Sequence, residues 1–114
     1  MRWIALVAST VVLLGISRQA TADFIDGNQL YQYCTTQDEV AQAACLSYID
    51  GTVDQMGWTR TRLKLTRGLP QRVTGIQLRD VALQWLTANP KYRAYSAVSL
   101  VDLAINQAWP ACTQ

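Results

Sequence analysis

DEVAQAACLSYIDGTVDQMG, residues 38–57, is the stretch whose periodicity sets the fold class. Asp38 is a helix N-cap by type, and Glu39 beside it suits the positive end of a helix dipole. Val40, Ala43, Ala44, Ile49, Val53 and Met56 then recur at three- and four-residue steps, which predicts a helix from about 39 to 56. Gly51 inside it costs roughly 1 kcal/mol relative to alanine and points to close helix packing or a bend. Gly57 marks the expected end.

Working outward from this helix, the chain keeps a helical rhythm on both sides. Towards the N-terminus, Asp23–Gly27 reads as a lead-in and Asn28–Cys34 as a short helix with Leu30, Tyr31 and Cys34 at helical spacing. Thr35-Thr36-Gln37 ends it. Towards the C-terminus the character changes. Arg60, Arg62 and Lys64 alternate with Thr61, Leu63 and Leu65, a period of two that fits an extended segment or short edge strand over Thr59–Thr66. Gly68-Leu69-Pro70 stops it. Thr74 followed by Gln77 forms a capping box that opens a helix to about Ala88, with Ile76, Leu78, Val81, Ala82, Trp85 and Leu86 on its apolar side. Asn89-Pro90 ends that helix and begins a short turn or one-turn helix through Arg93. Ser96 caps a last helix carrying Ala97, Val101, Ala104, Ile105 and Ala108, and Pro110 terminates it. The expected fold is all-α: a small disulfide-stapled bundle of about four helical segments with one irregular basic connection.

The first twenty-two residues stand outside this pattern. A basic Met1-Arg2 start, an uncharged run from Trp3 to Ile16 and the small-residue Ala20-Thr21-Ala22 predict an export signal cleaved before Asp23. A retained anchor is the competing expectation, but the run is about fourteen residues and a span needs roughly 20. Cleavage leaves one small domain over residues 23–114, and a chain that short relies on covalent staples. It also removes Arg2 and Arg18 from the 10 basic residues, so the exported chain is balanced against its 8 acids. The charges are segregated, however. Residues 23–54 hold acids and no base, whereas residues 55–79 hold bases and no acid. Either the two segments neutralise each other within the fold, with Asp50 and Asp54 pinning the basic loop, or part of the basic segment faces an acidic partner.

No histidine occurs anywhere in the chain, which removes the commonest general base and the commonest zinc ligand. Cys34 has no base to make it a nucleophile, and Asp50/Asp54 at i, i+4 reads as a solvated helix face. No phosphate loop or metal-spaced carboxylate set appears, so no catalytic residue, cofactor or metal site is expected and the chain is not read as an enzyme. Export and neutral charge count against nucleic acid despite Trp58 among the arginines. Trp85 and Trp109 are expected to pack. Trp58 is the tryptophan least needed by a core and is a candidate contact residue. Loops on a rigid scaffold commonly carry binding, so the expected partner-facing residues are Trp58, Arg60, Arg62, Lys64, Arg67 and Arg72.

The ordered set of motifs resembles a known family, the periplasmic immunity proteins of the type VI secretion amidase immunity (Tai) kind. Gly27-Asn28-Gln29-Leu30-Tyr31 with Cys34 resembles its opening helix, and Cys45-Leu46-Ser47-Tyr48-Ile49-Asp50-Gly51 its cysteine-aromatic-glycine helix. Leu69-Pro70, Val73-Thr74 and Gln77-Leu78 are similar to the start of its third helical segment. Asn89-Pro90, Arg93, Ser96-Ala97, Leu100-Val101, Ala104 and Pro110/Cys112 are similar to its last region. The family commonly has a further cysteine at the position held here by Gly68, so Cys112 lacks the partner the resemblance implies. The resemblance implies a helical periplasmic protein, often oligomeric and with a homodimer as an expected form, that binds and occludes a peptidoglycan-cleaving amidase. A periplasmic stress or chaperone-like helical protein with no dedicated effector is the alternative, and an envelope assembly subunit a third. A helical hairpin would bring Cys34 and Cys45 together as the disulfide, with Cys34–Cys112 and Cys45–Cys112 as the other pairings. Cys112 is then a free thiol or an intermolecular link.

Overall fold

A computed structural model describes residues 24–66 and 68–113. The export segment expected in residues 1–22 lies outside the described residues, as does Arg67. Four α-helices carry the fold: α1 (Gly27–Thr35), α2 (Glu39–Arg62), α3 (Gly75–Ala88) and α4 (Ala97–Ala108). A single 3-10 turn, Pro90–Tyr92, joins α3 to α4. Two-residue strands β1 (Leu65–Thr66) and β2 (Cys112–Thr113) pair antiparallel, with Thr66 opposite Cys112, and tie the chain's last described residues to the exit of α2.

Local chemistry sets most helix starts. Asp26 accepts from the Gln29 backbone N–H at 2.8 Å while the Gln29 side chain accepts from the Asp26 N–H at 3.1 Å, a capping box that opens α1 one residue before the expected start. Asp38 caps α2 through the Ala41 N–H at 2.8 Å, and Thr74 with Gln77 forms the expected box on α3. Ser96 departs from expectation. Its hydroxyl meets Ser99 Oγ at 2.6 Å and caps nothing. The start of α4 is held instead from outside: the Ala97 N–H donates to the Ile25 carbonyl at 3.0 Å, and the Val98 N–H faces the Tyr48 hydroxyl.

The core runs along one side of α2. Cys45, Ile49, Val53 and Met56 meet Leu30 of α1, Leu78, Ala82 and Leu86 of α3, and Leu100, Val101 and Ile105 of α4. The Cys34–Cys45 disulfide closes the α1–α2 hairpin with Cα atoms 5.2 Å apart. It fastens a helix whose own burial is modest, since α1 buries only Gly27 and Leu30, to the well-buried α2. Arg93 ties the opposite side. Its Nε donates to the Leu86 carbonyl at 2.8 Å, and its guanidinium lies 3.8 Å from the Tyr31 ring centroid, so one side chain links α1 to the C-terminus of α3.

α2 is longer than its periodicity predicts. It passes through Gly57 and ends at Arg62, so the extended segment expected over Thr59–Thr66 shrinks to Leu65–Thr66. The buried stripe Cys45, Ile49, Val53, Met56 simply takes one further step of four to Arg60, and the buried Gly57 serves the packing instead of the stop. The interior threonines remain helical by donating to carbonyls four residues back, Thr52 to Tyr48 and Thr61 to Gly57, each at 2.9 Å. Termination comes at Lys64, whose φ of 55° is left-handed. Gly51 also differs from expectation. A Cβ there would meet nothing within 4 Å, so that glycine answers neither close packing nor a contact.

Candidate protein-binding surface

The extra helical turn redistributes the residues expected to face a partner. Trp58 and Arg62, four apart, share the outer face of α2, and Trp58 is 59% exposed. Lys64 and Arg72 are exposed beyond the helix end. Arg60, two residues from both Trp58 and Arg62, turns inward and is only 5% exposed. The structure therefore brings Trp58 and Arg62 together and separates Arg60 from them. Helical rotation of 100° per residue does this, whereas the alternating extended chain expected over Thr59–Thr66 would have placed Arg60 and Arg62 on one side.

Arg60 lies in the floor of a cleft of about 430 Å³ between the C-terminal half of α2 and α4. Its Nη2 donates to Asn106 Oδ1, and Asn106 in turn donates to the Asp102 carbonyl at 2.9 Å. Met56, Leu63, Leu65 and Val98 supply apolar wall, and Thr52, Gln55, Thr59, Ser99 and Asp102 supply polar lining. Arg60 Nη1 is buried without a hydrogen-bond partner.

Among the described residues, no ion pair joins the acidic first half to the basic connection. Among the described residues the ion pair is Arg79–Asp80 at 2.9 Å, and Asp50 and Asp54 form none. Asp54 is exposed. Asp50 instead packs on the first turn of α3, with both carboxylate oxygens 2.8 Å from where a Cβ on Gly75 would stand. Glycine at 75 permits that approach, and a carboxylate suits the positive end of α3.

A second exposed surface carries residues that sequence reasoning did not single out. Trp85, Tyr92 and Tyr95 form a ladder with successive ring centroids 6.2 Å apart, and Lys91 Nζ lies 4.9 Å from the Tyr92 centroid. Trp85 is half-buried and its Nε1 donates to Gln107 Oε1 at 3.0 Å. Tyr92 and Tyr95 are exposed, and the exposed Leu103 lines the same hollow as these rings. The signal was present in Lys91-Tyr92-Arg93-Ala94-Tyr95, two tyrosines in a connection with no apolar periodicity to bury them. Between the two surfaces, burial raises the Tyr48 hydroxyl above the usual tyrosine pKa, while the Val98 N–H facing it pulls the other way.

No group of three or more Cys, Asp or Glu side chains among the described residues is placed to hold a metal ion. Cys112 takes part in β2 through its backbone, and its side chain lies outside the described ones. The arrangement offers what recognition of a protein needs: exposed tryptophan and arginine on α2, exposed tyrosines in the α3–α4 connection, and a cleft with a desolvated cation.

A family model for Rap1a immunity proteins matches residues 26–112 of the chain, the span from the α1 cap to β2. No curated protein and no solved structure matches it.

Proposed function

The chain belongs to the family of Rap1a immunity proteins, and on that premise we propose that it is a periplasmic immunity protein of the type VI amidase immunity kind. It binds and occludes a peptidoglycan-cleaving amidase and acts by that binding alone, without catalysis of its own. The signal-like first twenty-two residues and the Cys34–Cys45 disulfide support a home in an oxidising compartment outside the cytoplasm.

The observation that carries the contact face is the exposure of Trp58 and Arg62 on one face of α2, with Lys64 and Arg72 also exposed beyond its end. None of these side chains is needed by the core, and tryptophan and arginine are the residue types that most often dominate interface energy. To test it, the protein purified from the periplasm is titrated calorimetrically with amidases encoded beside it. Trp58→Ala and Arg62→Ala each weaken the complex about tenfold or more while leaving the melting temperature unchanged. Binding of both variants within about threefold of the parent moves the site elsewhere.

We assign self-association to the other surface, where Tyr92, Tyr95 and Leu103 are exposed together. Sedimentation velocity checks it: Tyr95→Asp shifts a dimer to monomer, and an unchanged sedimentation coefficient rejects the assignment.

A further inference from the structure

Among the described residues of the basic connection, Arg60 is the one cation that the fold takes out of water, and no described residue gives it a counter-charge. A guanidinium has five N–H donors and cannot shed its proton. Here Nη2 donates to Asn106, Nη1 is buried with no acceptor, and no carboxylate among the described residues lies within ion-pair distance. A buried cation satisfied this incompletely is costly, and an apolar side chain of similar length would fill the same space without that cost.

Its surroundings point to a ligand. The guanidinium is fixed by Asn106 in the floor of the cleft between α2 and α4, with Met56 beside it and Thr59, Ser99 and Asp102 around the lining. Thr59 and Ser99 are exposed hydroxyl residues able to donate to a second oxygen. Asp102 is an exposed carboxylate in the same cleft with no ion-pair partner among the described residues, which raises the local cost of a further negative charge without cancelling Arg60.

We propose that this cleft receives an aspartate or glutamate side chain from the partner protein, whose carboxylate pairs with Arg60 Nη1. Nη1 is closed off from solvent in the free protein, so capture couples to a side-chain shift at the cleft. The pair forms in a water-poor setting where a charge-assisted hydrogen bond is strong. The source of the carboxylate rests on the immunity reading. The preference of the cleft for a carboxylate does not.

Two arms test this on the protein purified from the periplasm. In the first, isotope-labelled protein at low ionic strength is titrated with N-acetyl-glutamate methylamide and, separately, with the glutamine analogue. The glutamate derivative moves the Arg60 Nε–H and Asn106 side-chain amide resonances saturably and the glutamine derivative does not. Equal shifts with both, or none with either, overturn the carboxylate site. In the second, a cognate amidase is titrated against Arg60→Met and Asp102→Asn. Arg60→Met melts no lower than the parent yet binds at least about tenfold more weakly, and Asp102→Asn, which keeps Arg60, binds more tightly. A folded Arg60→Met protein that binds within about twofold of the parent overturns the pairing with the partner. Should Arg60→Met fail to fold, Asp102→Asn decides: unchanged or weaker binding overturns the proposal. An amidase-independent glutamate response with no amidase binding by the parent retains the cleft and rejects the immunity reading. A response to the free glutamate derivative, with Asp102→Asn and Arg60→Met both neutral towards the amidase, assigns the site to small carboxylates and overturns the partner as source.

Discussion

At its N-terminal end α2 is capped by Asp38 and cross-linked to α1 through the fully buried Cys45. At its C-terminal end it runs out through a buried arginine, a left-handed lysine and a two-residue strand. The first end satisfies its backbone donors locally and closes its hairpin covalently. The second leaves Arg60 Nη1 unpartnered beside an open cleft. One helix thus joins a sealed end to an available one, and binding devices belong at the end with fewer satisfied groups, where rearrangement costs least. The sealed end is what lets the other remain imperfect.

The largest test of that contrast removes the seal. By loop-closure entropy the Cys34–Cys45 bridge contributes about 3 kcal/mol, so reduction, or a paired Cys34→Ser/Cys45→Ser protein, lowers the melting temperature by more than about 10 °C. Circular dichroism melts with and without reductant measure it. A fall of only a degree or two would mean that packing alone seals this end and that the two ends differ less than their chemistry suggests.

A smaller effect lies between the ends. Tyr48 has its hydroxyl pKa raised by burial, so the folded state binds that proton more tightly than the unfolded state does. Its contribution is complete below the unfolded value of about 10 and is lost as pH rises through the higher folded value. Urea titrations at alkaline pH therefore show the parent losing stability more steeply than Tyr48→Phe above about pH 10. Parallel slopes would place the hydroxyl in water and detach Tyr48 from the start of α4.

The smallest effect, of opposite sign, is at the available end. Lys64 holds a φ of 55°, which glycine adopts without a Cβ penalty. Lys64→Gly should raise stability by up to about 1 kcal/mol in urea titration. A loss instead would show that the lysine side chain supports the α2 exit and sharpen the contrast the other way.

What could be read from sequence follows range. The Thr74–Gln77 box, the Asp38 cap and the Cys34–Cys45 hairpin are local, and each appears as expected. The α2 exit was misjudged because Gly57 and the alternating Thr59–Leu65 run are strong local signals, while the partner that keeps the helix going, Asn106, lies far along the chain. Ser96 failed as a cap because Ser99 takes its hydroxyl and the outside partners Ile25 and Tyr48 serve α4 instead. The candidate surface was legible in residue type, since Trp58 and Arg62 are exposed as expected. Which of the arginines is buried was not, because that depends on helical phase at a position where local periodicity pointed to strand.

The start of α1 is stitched to the other end of the domain. The Gly27 N–H donates to the Tyr95 carbonyl and the Asn28 N–H to the Arg93 carbonyl, both at 2.9 Å. A Cβ on Gly27 would collide with Leu100 and stand 2.9 Å from Arg93 Cα and O. These bonds join the earliest described helix to a segment more than sixty residues further along, so the loop between them must close before α1 is held. A chain still emerging, with residues 93–100 not yet free, cannot complete its first helix's surroundings however long it waits. The surroundings of α1 are thereby completed by long-range closure, after the segment that carries Arg93 and Tyr95 has come into reach.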